Sequence, residues 1–421
     1  MQKLIIKNLG PIKNCEMEVR PFTIFIGESG SGKSILLRTI SMLKWVYKQV
    51  QYKRLLKDIG EIESDEIIDI KFNRVIKNSK LEDYINDGTS IEFFMNNELV
   101  IAIRNKQFEF DIENIGILYS PLLLNKIVFL DENRSILPEM YSSSRNRYIL
   151  NEIGRRNTFS YTTDMLNNFD EAFNEIGNDF PIKTANIVFH KNKGDERSFG
   201  REQIYIVRNG HKIKFENASS GEKSSAIIEL IGYYFSQEYN LPERFNKSIY
   251  FLLSEFFLSR KKDLLKLNEY DILQRLLQLS NSLDKEQSFT ILFEEPESNL
   301  FPTNQRDLTY FLSSLRKTKN NPEIIFSTHS PYILMVVDSL LYAYELSQKN
   351  KDNKELQEKI NQIIPKQYHL NIEDLSAYIV KNGMVESIID PETNLINSEY
   401  IDTVSYEIMD NFNQLCELDR Q

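Results

Sequence analysis

Cysteine is almost absent from this 421-residue chain. Only Cys15 and Cys416 occur, which excludes a disulfide framework and a cysteine-based zinc site. Long apolar runs are missing too, so no segment reads as a bilayer span. The opening Met1-Gln2-Lys3-Leu4-Ile5-Ile6 reads as a strand and not as a secretory leader. Positive charge is in deficit: 51 Lys and Arg stand against 61 Asp and Glu, a net charge of −10. That argues against a wholly basic nucleic-acid binder but leaves room for a local basic patch. Repeats and low-complexity stretches are also lacking. With 41% hydrophobic and 27% charged residues, what remains is an ordinary folded composition, long enough for two or three domains or one large domain with insertions. A cytosolic protein with no membrane partner is expected.

The most informative feature present is Gly27-Glu28-Ser29-Gly30-Ser31-Gly32-Lys33-Ser34, a complete G-x-x-x-x-G-K-[ST] loop. It follows the apolar stretch Phe22-Thr23-Ile24-Phe25-Ile26 and precedes a helix-periodic segment with Ile35, Leu36, Leu37, Ile40 and Leu43. Strand, glycine loop and helix in this order are the context the motif requires. The glycines let successive backbone N–H groups turn toward one anion, and the helix start adds its positive dipole end. Lys33 would reach the β- and γ-phosphates of a nucleoside triphosphate, and the Ser34 hydroxyl would sit on Mg²⁺.

Around this loop the pattern predicts strands Lys3–Lys7 and Cys15–Val19 about a Gly10-Pro11 turn. The loop's helix continues through Lys44, Trp45, Tyr47 and Lys48 toward Leu56. A β meander follows at Ile91–Met95, Leu99–Arg104 and Gln107–Phe110. A buried strand Ile127–Leu130 runs into Asp131-Glu132-Asn133-Arg134-Ser135, and residues 140–180 are polar and partly helical. A hairpin at Gln203–Arg208 and His211–Phe215 turns on Asn209-Gly210. Residues 222–285 read as helical, with leucines (Leu264, Leu265, Leu267, Leu273, Leu276, Leu277) that keep no sustained heptad. Apolar strands Thr290–Phe293 and Glu323–Ser327 suggest a sheet buried on both faces. A hairpin at Ala377–Val380 and Met384–Ile389 and a helix from about Glu399 complete the chain.

Three further segments carry candidate chemistry. The strand Thr290–Phe293 ends in Glu294-Glu295-Pro296-Glu297, where open α/β sheets bind ligands. Glu294 is assigned to the metal, and Glu295 to orienting or deprotonating an attacking water; two solvated carboxylates are the plainer alternative. Ala218-Ser219-Ser220-Gly221-Glu222-Lys223 is a good helix start with a serine cap, or a second anion site at a helix N-terminus. Thr328-His329-Ser330-Pro331 follows the strand Glu323–Ser327; His329 is either structural or placed to hydrogen-bond a γ-phosphate.

In this order, phosphate loop, Ser-Gly helix start, strand-Glu-Glu-Pro and Thr-His-Ser, the chain resembles the ABC-type ATPases across residues 1–335. There the four segments are Walker A, signature, Walker B with its catalytic glutamate, and switch histidine. Glu297-Ser298-Asn299-Leu300-Phe301-Pro302 resembles the loop after Walker B that lies against a partner subunit. The opening Ile5–Asn14, the Glu294–Glu297 segment and Ser219–Glu222 are similar to the RecF, SMC and OLD-like branch. Glu294 stands in place of the usual Walker B aspartate, and Ser220 in place of the first signature glycine; no glutamine stands out as the Q-loop residue. Phe129–Ser135 resembles a strand-end segment of these ATPases, making Arg134 a nucleotide sensor or a structural ion-pair former.

The resemblance implies an α/β fold: an ABC ATPase head with a mixed and parallel P-loop sheet, an antiparallel β meander, a helical signature lobe and a small C-terminal α+β extension. The expected divisions are 1–215 (ATPase lobe), 216–289 (signature lobe), 290–335 (Walker B and switch-histidine strands) and 336–421 (extension). It also implies a head-to-tail homodimer, or a higher homo-oligomer, closed around ATP and Mg²⁺. Each site would take Gly27–Ser34, Glu294, Glu295 and His329 from one chain and Ser219, Ser220 and Gly221 from the other.

Some 90 residues follow His329, which is expected to be too few for a full TOPRIM nuclease fold together with the ATPase's own closing elements. That resembles the ATPases of antiphage systems such as Septu and PARIS, which act with a separate nuclease or toxin. The expected function is therefore a slow ATPase acting as a sensor or scaffold switch for such an effector. The alternative is a RecF-like DNA-repair ATPase that binds duplex DNA. Candidate DNA contacts are Lys44, Lys48, Lys53, Arg54 and Lys57, and Arg145, Arg147, Arg155 and Arg156; solvated surface charge is the competing reading of both. A transporter subunit and a small-molecule kinase fit the motifs less well.

Overall fold

The computed structural model describes residues 1–60, 70–111, 125–142, 161–192, 203–241, 288–397 and 403–419. The expected leucine-rich helical stretch beyond residue 241 and the arginines at 145, 147, 155 and 156 lie outside them. The strands, in chain order, are β1 Gln2–Leu9, β2 Ile12–Val19, β3 Phe22–Ile26, β4 Ile85–Met95, β5 Glu98–Arg104, β6 Gln107–Phe110, β7 Asn125–Leu130, β8 Asp179–Ile182, β9 Ile187–Asn192, β10 Gln203–Arg208, β11 His211–Lys214, β12 Ser288–Glu294, β13 Glu323–Thr328, β14 Leu375–Lys381 and β15 Met384–Ser387.

Eleven strands form one mixed sheet in the order β6-β5-β4-β1-β2-β15-β14-β3-β13-β12-β7, and β11-β10-β9-β8 form a second, smaller one. The chain is α/β. Its half from β14 to β7 runs parallel through β3, β13 and β12; the half from β6 to β2 is the antiparallel meander joined to the first hairpin. The hairpin turn at Asn209 is the one the sequence predicts, and Asn96, Asn97 and Asn382 likewise turn their hairpins at positive φ, a conformation that short Asn side chains tolerate.

The period of two in a strand sorts its side chains between two cores. Phe22, Ile24, Ile26, Val128, Leu130, Ile291, Phe293, Ile324 and Phe326 enter one core, which holds buried residues of the helices Tyr161–Glu175, Ser220–Tyr233, Pro302–Leu315 and Pro331–Lys349. Phe25, Phe129, Leu292 and Ile325 face the other, packed on Leu36, Leu37, Ile40, Leu43 and Val46 of the helix Lys33–Gly60. Because both faces are covered, these strands read as unbroken apolar runs.

Two placements were not visible in the sequence. The hairpin β14–β15 lies inside the main sheet, between β3 and β2, so residues 375–387 stand beside the phosphate loop and not at the periphery. Lys44 is buried, paired with Glu323 and bonded to Thr290. Lys48 donates to the carbonyl of Asn125 at the head of β7, and burial pushes its ammonium down to about 7. Both lysines sit on the sheet-facing side of their helix, which removes them from the expected DNA-contact patch.

Candidate nucleotide site

Parallel register brings three loops to one edge. Ile26 of β3 pairs with Thr328 of β13, and Ser327 of β13 pairs with Glu294 of β12. The phosphate loop, the Thr328-His329 turn and the Glu294–Glu297 segment therefore leave adjacent strands at their C-terminal ends, where an open α/β sheet binds its ligand.

The loop itself is built for close backbone approach. A Cβ on Gly27 would stand 2.3 Å from the carbonyl oxygen of Val380 on β14, and one on Gly32 would reach 3.0 Å from Ile12. Gly30 has φ +77 with open space beside it. Lys33 opens the helix Lys33–Gly60, and its ammonium donates to the carbonyls of Gly27 at 2.8 Å and Glu28 at 2.9 Å. Burial pushes this ammonium below its ordinary value, and the nearby Glu295 and Glu297 oppose that shift. Residues Glu28, Ser29 and Gly30 are exposed, and Ser34 is half-buried in the first helical turn.

Glu295 has φ +42, a left-handed conformation that costs a non-glycine residue on the order of 1–3 kcal/mol. The surroundings hold it there. Its N–H donates to the Ser327 carbonyl at 3.1 Å, and its carbonyl accepts from Arg134 Nη2 at 2.6 Å and from the Ser298 N–H at 3.0 Å. The side chain then meets His329, with Oε1 2.8 Å from Nε2. Glu295 and His329, 34 residues apart, form one hydrogen-bonded pair.

The structure places Glu294 differently from a free metal ligand. Its side chain is 1% exposed, and its oxygens accept from Arg38 Nε at 3.0 Å and Nη2 at 3.3 Å. Burial raises the Glu294 carboxyl, Arg38 pulls it back, and Asp131 and Glu132 push it up again, leaving it above its ordinary value. Ser34, the expected magnesium partner, stands in the first turn of the helix Lys33–Gly60, where its hydroxyl oxygen suits such an ion. Glu294 suits one only beyond an intervening water or once Arg38 withdraws, since its carboxylate already has a cation. Asp131, buried at the end of β7, is a further carboxylate at this strand edge.

Four residues of this edge were not singled out from sequence as its support: Arg38, Asp131, Glu297 and Ser224. Glu297 Oε1 accepts from Thr328 Oγ1 at 2.6 Å and from the His329 N–H at 2.8 Å, so it fixes the turn that presents the histidine. Arg38 had a faint signal, lying one turn beyond Ser34 on the loop's own helix. Asp131 and Glu297 lie in segments already marked in the sequence, whereas Ser224 meets Arg134 from 90 residues away and has no signal. Arg134 is not exposed to a ligand. It is 1% exposed and donates to the carbonyls of Asp131, Glu294 and Glu295 and to Ser224, and among the described residues it forms no ion pair.

Ser219 caps the helix Ser220–Tyr233 in a reciprocal capping box with Glu222, as the plain reading of that segment expects. Ser219 and Ser220 are exposed, and among the described residues no hydrogen bond joins them to the phosphate loop. Gly221 is required by packing: a Cβ there would stand 2.6 Å from the Asn299 carbonyl, in the loop after Glu297. His369 is buried and bonded to the Ile364 carbonyl at 2.9 Å.

No family model matches the chain, and no curated protein matches it. Solved structures do. A crystal structure of an Smc head bound to the C-winged helix domain of ScpA aligns at 12% identity and TM-score 0.37, covering 92% of this chain and 96% of that one. The SMC head domain from Thermotoga maritima aligns at 12% and 0.36, covering 92% and 97%. A dimeric ATP-binding cassette in a post-hydrolysis state with ADP and Pi aligns at 12% and 0.31, covering 92% and 97%. The reading of the site stands on its own residues.

Proposed function

We propose that this chain is an ATP-binding and ATP-hydrolysing ABC-type ATPase that dimerises around ATP. The observation that carries the reading is the shared strand edge: a complete phosphate loop, a Glu–His pair and a buried carboxylate leave β3, β13 and β12 side by side. In this reading the backbone N–H groups of Gly30–Ser34 and the Lys33 ammonium hold the phosphates, Lys33 giving up its bonds to the Gly27 and Glu28 carbonyls. Glu295 takes the proton of the attacking water, and His329 orients that carboxylate. A bound Mg²⁺ would supply charge neutralisation between the phosphates, with Ser34 and the Glu294 region as its protein partners. The exposed start of the helix at Ser219–Gly221 belongs to the second chain's site. Closure then excludes water and strengthens every fixed dipole around the phosphate.

The finer reading is a switch that controls a separate nuclease or toxin effector in antiphage defence. It is supported by the motif resemblance and by the helix Thr403–Asp419, whose Ile408, Met409, Phe412 and Leu415 are exposed in a pattern suited to a protein partner. The duplex-DNA alternative loses Lys44 and Lys48 to the interior. Among the described residues no helix is long and apolar enough to cross a membrane.

Light scattering of the Glu295→Gln variant tests the reading. ATP should double its mass while the apo form stays unchanged, unless a larger assembly already exists without nucleotide. No ATP dependence in either mass or subunit exchange defeats the sandwich model. Co-purification with the product of a neighbouring gene tests the effector.

A further inference from the structure

The buried guanidinium of Arg134 lies where three parts of the molecule meet. Nη1 donates to its own turn at the Asp131 carbonyl (2.9 Å) and to the Glu294 carbonyl (2.7 Å), Nη2 donates to the Glu295 carbonyl (2.6 Å), and Nε donates to Ser224 Oγ (2.7 Å). Ser224 sits one turn into the helix Ser220–Tyr233, whose exposed start carries Ser219 and Gly221. One planar, rigid group thus touches both the helix start and the backbone of the residue held at φ +42. Lysine could not replace it, because a single ammonium cannot span acceptors arranged around a fork.

Burying a cation is costly: the direct partners of Arg134 among the described residues are carbonyls and a hydroxyl, burial lowers its guanidinium, and Glu297, Asp131, Glu294 and Glu295 nearby oppose that only in part. A fold that only needed a filled space here could use an apolar side chain. We propose that Arg134 is a positioning residue that couples the helix start at Ser219–Gly221 to the backbone of Glu295, so that seating of this helix against a second chain sets the catalytic carboxylate in its own chain. The proposal rests on the reading of the chain as an ATP-closed dimer. A shift of the helix moves Ser224, Ser224 moves the guanidinium, and the guanidinium moves the carbonyls of Glu294 and Glu295. The side chain of Glu295 follows because its φ is fixed by bonds on both sides. The loop after Glu297 closes the same circuit, since the Asn299 carbonyl packs on Gly221.

Ser224→Ala removes the helix contact alone and leaves the three carbonyl bonds. Ser225→Ala is the control, because the Ser225 hydroxyl is buried on the same helix and among the described residues has no hydrogen-bond partner. In the full chain with MgATP, Ser224→Ala should bind ATP and self-associate within about twofold of wild type, yet turn over per dimer about tenfold more slowly. Ser225→Ala should turn over as wild type does. In a double-mutant cycle, Ser224→Ala should add little to Arg134→Lys. Unchanged turnover per dimer in Ser224→Ala overturns the coupling. So does a parallel fall in melting temperature, ATP affinity and turnover, which is what mere structural support would give. If Arg134→Lys does not fold, the Ser224→Ala and Ser225→Ala pair still decides. A wild-type chain that never self-associates with ATP overturns the dimer reading and the coupling together, whereas an associating wild type with an unaffected Ser224→Ala overturns the coupling alone.

Discussion

The edge formed by β3, β13 and β12 and the start of the helix Ser220–Tyr233 treat their polar groups in opposite ways. At the strand edge four charged groups already have internal partners: Lys33 holds loop carbonyls, Glu294 holds Arg38, Glu295 holds His329, and one oxygen of Glu297 holds the His329 turn. At the helix start Ser219 and Ser220 are exposed, and among the described residues the Ser219 hydroxyl bonds only to Glu222 of its capping box. An edge of this kind is preorganised, so its bonds are exchanged for ligand bonds with little ordering cost. An exposed helix start keeps unspent N–H groups and a positive dipole end, and these act only on something brought from outside. The difference suits a site of which one half is complete in the chain and the other half is delivered.

The largest expected effect falls on the strand edge. Glu295→Gln should lower the phosphate-release rate about 10²–10⁴-fold with ATP affinity retained; loss of affinity along with rate would place Glu295 in binding and blur the comparison. Next, Gly27→Ala should destabilise the fold by about 3 kcal/mol, since its Cβ would strike the backbone of β14 at 2.3 Å. Gly30→Ala meets open space and should cost only its left-handed backbone, about 1–2 kcal/mol. Denaturant melts of the two variants compare a loop locked from behind with one free in front.

A smaller effect tests how strictly the core seals its charges. The Lys48 ammonium is pushed down to about 7 in the fold from roughly 10.4 unfolded. Between these values the unfolded chain binds more protons, so this group makes stability rise with pH from about 7 to about 10. Lys48→Met should flatten that part of the stability–pH curve, and an unchanged slope would show that the lysine reaches water. The smallest effect belongs to the helix start. Ser219→Ala should cost about 1 kcal/mol from the lost cap, read in a melt. Its effect on ATP-dependent association should exceed what that loss explains; a melt shift with no change in association would reduce the helix start to a cap and break the comparison.

The phosphate loop, its flanking strand and helix, and the Asn turns were legible in the sequence because each is a short contiguous pattern whose physics is local. The parallel strands were legible as apolar runs. Lys44 and Lys48 misled because a charged residue on a helix normally faces solvent, and only the neighbouring Glu323 and Asn125 carbonyl reveal that these two do not. Arg134 invited a ligand role for the same reason, since four acceptors from distant segments are invisible in its neighbours along the chain.

By itself the sequence determined which segments form the glycine-rich phosphate-loop pattern, which strands are buried on both faces, and which carboxylates and histidine stand at strand ends. Those properties depend on φ preferences, periodicity and side-chain type within a few residues. Tertiary structure alone decided that β14 backs Gly27, that Arg38 claims Glu294 across 256 residues, and that Arg134 joins the helix start to Glu295. Such contacts follow from the order of strands in the sheet, and that order is settled by packing across the whole chain, where no local pattern records it.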